Sequence, residues 1–227
     1  MADKSGDARE EVLSRVLAKL GVRGDEPGRR GLVQSRLRTP RANLIPERAQ
    51  KPRPELIKQF QAMLDKSGAK TIRVRSLKAL PEAIMSALRD GNLPFRIRGG
   101  EDAIFEGLRA EPNALEVLSG PAEAADAIGL SHAFAGASET GTLFLASGHE
   151  NPSTLNFLPE HHFVVILVGD IAGSYEDCWS KLRSIYGKAL PRTVNLISGP
   201  SRTADIEQTI VMGAHGPKNL VVFIAGA

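Results

Sequence analysis

The sequence predicts an α/β fold built on an open, mostly parallel sheet, and three observations carry the prediction. From residue 55 onward, short β-type runs alternate with amphipathic helical stretches, the order that builds parallel strands covered on both faces. Two of the runs, His162–Val168 (HFVVILV) and Leu220–Ala225 (LVVFIA), are apolar throughout, as strands buried on both faces are. The chain has 227 residues, 42% of them hydrophobic and 24% charged, enough for one sizeable domain of ordinary globular composition.

The elements follow in order. Ala8–Leu20 sets Val12, Val16, Leu17 and Leu20 on one face of an amphipathic helix that stops at Gly21. From Gly21 to Pro54, Gly, Pro and Arg are frequent and the apolar residues fall at no steady period, so an irregular arm is expected. The domains are therefore drawn as 1–54, helix and basic arm, and 55–227, the α/β body. Glu55–Ser67 reads as a helix, Lys70–Arg75 as a strand, and Leu80–Arg89 as a helix with Pro81 where proline is tolerated. Pro94–Arg98 is a strand, Asp102–Leu108 a short helix, and Ala114–Leu118 a strand. Leu130–Ala135 and Thr142–Ala146 read as strands around the turn Gly136–Gly141. A Gly/Asn/Pro loop, Gly148–Pro159, precedes the apolar strand at 162. Ser174–Tyr186 is a helix, Thr193–Ile197 a strand, Ser201–Met212 a helix and Leu220–Ala225 the last strand.

Charge and cysteine content bound the function. The formal net charge of +3 resides mainly between Arg23 and Lys58, where arginines such as Arg29, Arg30, Arg36 and Arg38 outnumber the acids. That segment reads as a solvated tether or as a surface for an acidic partner, in preference to an RNA- or membrane-binding arm. Only 5% of residues are aromatic, which disfavours a nucleic-acid surface of stacked bases. The single cysteine, Cys178, allows neither a disulfide nor a self-contained iron–sulfur cluster. No metal site and no cofactor is expected in this chain. The charged start MADKSGDAREE does not read as a signal peptide, and the apolar runs are too short to span a bilayer, so a cytoplasmic location is expected.

Two stretches carry the chemistry. Asn195–Pro217 (NLISGPSRTADIEQTIVMGAHGP) reads as strand, tight turn and helix start, which would place free amides and a positive dipole end near Ser201, Arg202, Thr203 and Asp205. Its companion is Gly136–Gly148 (GASETGTLFLASG), where Glu139 is a candidate nucleophile or general base, or a side chain that holds the turn by accepting hydrogen bonds. Gly136-x4-Gly141 lacks the lysine of a phosphate-binding loop, and neither Gly-x-Gly-x-x-Gly nor Gly-x-Ser-x-Gly occurs. His162 begins an apolar strand and His215 lies in a Gly/Pro turn; each alone reads as a structural histidine, but ends of neighbouring strands and their loops converge at the active edge of such sheets.

Ser138–Thr142 (SETGT), the LxxLPxxH segment ending at His162, Gly199–Glu207 (GPSRTADIE) and Gly213–Pro217 (GAHGP), in this order, resemble the LUD-domain family, and within it the lactate utilization protein C branch. The resemblance implies a Rossmann-like sheet of the NagB/RpiA/CoA-transferase type. It also implies a role in bacterial oxidation of L-lactate to pyruvate alongside two iron–sulfur partner proteins, which would hold the clusters. The turn at Glu139 is similar to the Ser-Glu-Asn-Gly turn that carries the glutamate nucleophile of some CoA transferases, with Thr140 in place of Asn. Thr140, Gly141, Thr142, His162, Gly199, Ser201, Arg202, Thr203, Asp205 and His215 are then expected to line a pocket for a small anion. Two alternatives stay open: an acyl- or CoA-transferring enzyme using Glu139, and a non-catalytic assembly factor that docks through the basic arm.

Overall fold

The computed structural model describes residues 5–23, 25–110, 115–206 and 209–226. The helices are α1 (Ser5–Leu20), α2 (Pro27–Arg38), α3 (Arg53–Lys66), α4 (Leu80–Asp90), α5 (Glu106–Ala110) and α6 (Tyr175–Tyr186). The strands are β1 (Lys70–Val74), β2 (Arg96–Gly99), β3 (Glu116–Ser119), β4 (Ile128–His132), β5 (Ala135–Ala137), β6 (Thr142–Ala146), β7 (His161–Leu167), β8 (Ile171–Ala172), β9 (Val194–Ile197), β10 (Arg202–Ile206), β11 (Thr209–Met212) and β12 (Asn219–Ala225). By contacts the chain divides into a small unit, residues 1–44, and a large one, residues 45–227.

In the large unit, six strands form one parallel sheet in the order β1-β12-β7-β4-β2-β3. The two continuous apolar runs are its centre. On β7, Phe163 and Val165 pack toward Leu80, Ile84 and Leu88 of α4, while Val164 and Ile166 pack toward Phe60 and Leu64 of α3. Both faces of the strand are buried, which is why its sequence shows no alternation.

A second sheet, β8-β5-β6-β9, covers one face of the first. Its β5–β6 and β6–β9 pairs are antiparallel and its β5–β8 pair is parallel. Leu143 and Leu145 of β6 face the main sheet. Phe144 points the other way, against Cys178 and Trp179 of α6, with the Trp179 ring edge-on at 5.2 Å. α6 is capped by Ser174, whose hydroxyl and amide exchange hydrogen bonds with Asp177 in a capping box.

Three expectations are corrected. The strand drawn over Leu130–Ala135 is two strands, because the chain leaves the main sheet after His132 and enters the second at Ala135. The arm drawn as irregular contains α2, which begins with Pro27 at a position where its missing N–H costs nothing. Its Leu32, Val33, Arg36 and Leu37 do recur at helical spacing. The helix drawn over Ser201–Met212 is instead the antiparallel pair β10–β11, with Arg202 opposite Met212, Thr203 opposite Val211, and an irregular register before Ile206 opposite Thr209. Thr203, Ile206, Thr209, Ile210 and Val211 are all β-branched, and such residues fit a pleated surface better than a helix.

Residues 45–54 belong with the α/β body by contact. Ala49 is buried, and Arg53 Nη2 donates to Val168 O at 2.7 Å. Within the small unit, no residue of α2 is buried. Among the described residues, no helix is long and apolar enough to cross a membrane.

Candidate functional site

The turn after β9 is closed by backbone, since Ser201 N donates to Pro217 O at 2.8 Å and Gly213 N donates to Ser201 O at 3.0 Å. No helix starts at Ser201, so the dipole expected there is absent and its amide is already used. An open site remains for a different reason. Hairpin base, turn and incoming loop leave a cleft of about 230 Å3 at the amino ends of β7 and β12.

Four of the residues expected from sequence, His162, Gly199, Ser201 and His215, line this cleft, together with Asn156 and Ser198. Arg202 is exposed, and its guanidinium lies over Gly68 outside the lining. The side chains of Thr203 and Asp205 fall outside the described residues.

The floor of the cleft is a buried polar chain. Ser131 Oγ donates to Asn156 Oδ1 at 2.8 Å, and His162 Nε2 lies 3.0 Å from Ser131 Oγ. Because the serine proton is committed to Asn156, His162 Nε2 is the N–H that donates. Burial pushes the His162 ring down to about 3, so it is neutral across the physiological range. Asn156 is 1% exposed, and its Nδ2 has no hydrogen-bond partner among the described residues. A buried donor without an acceptor costs stability unless something supplies one. The amides of Gly199, His215 and Gly216, at the same cleft, likewise donate no backbone bond among the described residues.

The second motif stands behind this wall. Thr142 Oγ1 lies 2.7 Å from each of Thr140 Oγ1, Tyr175 Oη and Ser198 Oγ. One hydroxyl has one proton and two lone pairs, so these three contacts use it fully. Through Ser198 the SETGT turn is joined to the cleft lining. Thr140, Gly141 and Thr142 therefore support the wall and do not form it. Gly141 has φ 68°, and a Cβ there would lie 2.7 Å from Leu64 N, so only glycine lets the turn sit against the α3 backbone. Ser138 Oγ donates to Leu56 O at 2.6 Å, a second tie to the same helix.

Glu139 is turned elsewhere. Its Oε1 accepts from Tyr175 N, the first residue of α6, at 3.0 Å, its Oε2 lies 3.4 Å from Arg48 Nη2, and it does not line the cleft. A carboxylate at a helix N-terminus is favoured by the dipole as well as by the hydrogen bond. Glu139→Ala is expected to cost about 1–3 kcal/mol in urea unfolding. Glu139→Gln, whose amide oxygen can still accept from Tyr175, is expected to cost less than half of that. Cys178, close by, is fully buried, and burial first, then the charge of Asp177, pushes its thiol up to about 12, which makes it unreactive at neutral pH.

Sequence reasoning missed Asn156, Ser131 and Ser198. Asn156 had a readable signal, a polar residue among Leu155, Phe157 and Leu158 within the LxxLPxxH segment. Ser198 had none, because its value depends on strand pairing between β6 and β9.

Comparison with known proteins gives the following. The family model described as LUD domain matches residues 57–225. An uncharacterized protein of Neisseria meningitidis serogroup B is 41% identical over 96 residues, 41% of this chain and 40% of its own length. Lactate utilization protein C of Halalkalibacterium halodurans is 36% identical over 104 residues, 45% of each chain. The chain thus spans less than half the length of either relative. A solved DUF162 family protein from Deinococcus radiodurans superposes with a TM-score of 0.58 at 24% identity, covering 78% of this chain and 99% of that one. That likeness supports the fold.

Proposed function

The chain belongs to the LUD domain family, and from that premise we propose that it serves an L-lactate utilisation system and holds a small anion, such as a carboxylate, in the cleft between Asn156 and His215. The relatives named lactate utilization protein C support the system. Oxidation of lactate to pyruvate, and iron–sulfur partner proteins that carry the electrons, are parts of this reading. The arginine-rich α2, with Arg29, Arg30, Arg36 and Arg38 and no acid, supplies a surface for an acidic partner.

One observation supports the ligand class above the others. The buried side-chain atom left open in the cleft among the described residues, Asn156 Nδ2, is a donor. A carboxylate is acceptor-only, and charge-assisted bonds to it are the stronger kind. His162, being neutral, adds no charge, and His215 stands at the exposed rim. The volume of about 230 Å3 is below that of a drug-sized site and suits a metabolite of a few carbons.

Titration calorimetry of the full chain with L-lactate, pyruvate and inorganic phosphate tests this reading. Saturable binding of at least one of these anions is expected, with roughly tenfold weaker binding in Asn156→Leu. Ser201→Ala, on a less buried side chain, is expected to weaken binding by a smaller factor. No binding of any of the three anions, or binding untouched in both variants, overturns the proposal.

A further inference from the structure

At the opposite end of the main sheet lies a second cleft, of about 480 Å3, lined among others by Asp102, His132, Phe134, Glu150, Asn151 and Tyr186. Topology explains its position. Strands β2 and β4 are neighbours, but β2 leads next to β3 on one side, whereas β4 leads within this sheet to β7 on the other. Ligands of open α/β sheets bind outside the carboxyl ends of the strands at such a reversal. His132 is the last residue of β4, and Asp102 lies in the loop that follows β2. Gly100 in that loop lets it meet the 148–151 turn: a Cβ there would run into the carbonyl oxygen of Glu150, and Glu101 N donates to His149 O at 3.2 Å.

The open polar atoms here are of the opposite kind from those in the first cleft. Asp102 Oδ2 lies 2.7 Å from His132 Nδ1, and Oδ1 accepts from Ile104 N at 2.9 Å. Burial by itself raises the Asp102 carboxyl, yet the hydrogen bonds of His132 and the Ile104 amide hold it below its ordinary value. Asp102 is thus a carboxylate that accepts the hydrogen bond of His132 Nδ1–H, and in that tautomer Nε2 is an acceptor. Nε2 is buried and unpartnered among the described residues. Asn151 Nδ2 donates to Ala146 O at 3.3 Å, which leaves Asn151 Oδ1 buried and unpartnered as well. Glu150 adds an exposed carboxylate at the rim. The field has the matching sign, since burial first, and then the charges of Glu150 and Asp102, push the Tyr186 phenol up. Phe134 and Tyr186 stand edge to face at 6.4 Å on one wall.

We propose that this cleft binds a small primary amine as its ammonium ion, with His132 Nε2, Asn151 Oδ1 and the Glu150 carboxylate as acceptors and Phe134 and Tyr186 beside its carbon chain. An ammonium group presents three donors and one positive charge, and a cation also gains from aromatic faces.

The test is an NMR titration of the full chain with butylamine and ethanolamine, against butyrate as a control of similar length. The expected result is a saturable shift of the His132 ring and Asn151 side-chain amide signals with the amines, and none with butyrate. Glu150→Gln, at an exposed position, is expected to bind roughly tenfold more weakly with an unchanged backbone spectrum. His132→Gln is expected to lose the response at Asn151. Shifts that do not saturate, butyrate binding as well as the amines, or Glu150→Gln binding like the parent overturns the proposal. The carboxylate reading of the first cleft stands or falls separately, because Asn156 does not line this cleft.

Discussion

Replacing Phe60 by alanine is expected to lower the free energy of unfolding by about 3–5 kcal/mol, the largest effect of any single truncation near the candidate site. The ring is fully buried in the cluster formed by α3, β6, β7 and β12. It fills the space that Gly136 leaves open, where a Cβ would come within 2.8 Å of the ring and 2.7 Å of Ile166 Cδ1. Close-packed β-strands on one side and the α3 backbone on the other limit how far the surroundings can collapse into the vacancy, so a cavity remains. The same helix carries Leu56 O, which accepts from Ser138, and the backbone against Gly141, so loosening it also loosens the SETGT turn. Urea unfolding should show a lower midpoint with an unchanged slope. Lys58→Ala on the exposed face of α3 is expected to stay within about 0.5 kcal/mol. If Phe60→Ala matched that control, the packing described for α3 would be wrong.

Thr142→Val is expected to destabilise the chain by about 2–4 kcal/mol, although the two side chains have nearly the same shape. The loss is one of hydrogen bonding. Thr142 Oγ1 is the common partner of Thr140, Tyr175 and Ser198, and Thr142 is 1% exposed, so water does not readily replace it. Three half-buried hydroxyls lose a partner at once, and the summed loss of three hydrogen bonds exceeds that of one. Thr142→Ser keeps the hydroxyl and is expected to cost about 1 kcal/mol, chiefly for the lost methyl group. Anion binding in the cleft should weaken with Thr142→Val as well, because Ser198 in the lining loses the contact that orients it. Equal stability of the Val and Ser variants would show that the hydroxyl cluster contributes nothing.

How much of this was legible in the sequence varied with the range of the interactions. The strands of the main sheet were readable because burial on both faces writes itself into a local run, as in Phe163–Leu167. α6 was readable because Ser174 and Asp177 make its cap within four residues. The β10–β11 pair was misread because its residues also fit a helical pattern, and the choice was made by pairing across the hairpin, not along the chain. Glu139 stood out as an isolated carboxylate in a turn of small residues. Only the fold brought the amide of Tyr175 to it, 36 residues away.

The sequence by itself determined the family, the α/β class and the apolar centre, since these rest on motifs and on periodicities that neighbouring residues express. The tertiary structure alone decided which polar groups meet. Asn156, Ser131 and His162 come from a connection and two strands, and Asp102 follows β2 while His132 ends β4, two strands that pair only in space. It also decided which lining side-chain atoms remain open among the described residues: Asn156 Nδ2 in the first cleft, His132 Nε2 and Asn151 Oδ1 in the second. Hydrogen-bond satisfaction depends on every partner a group finds after folding, and no local stretch of chain contains that information.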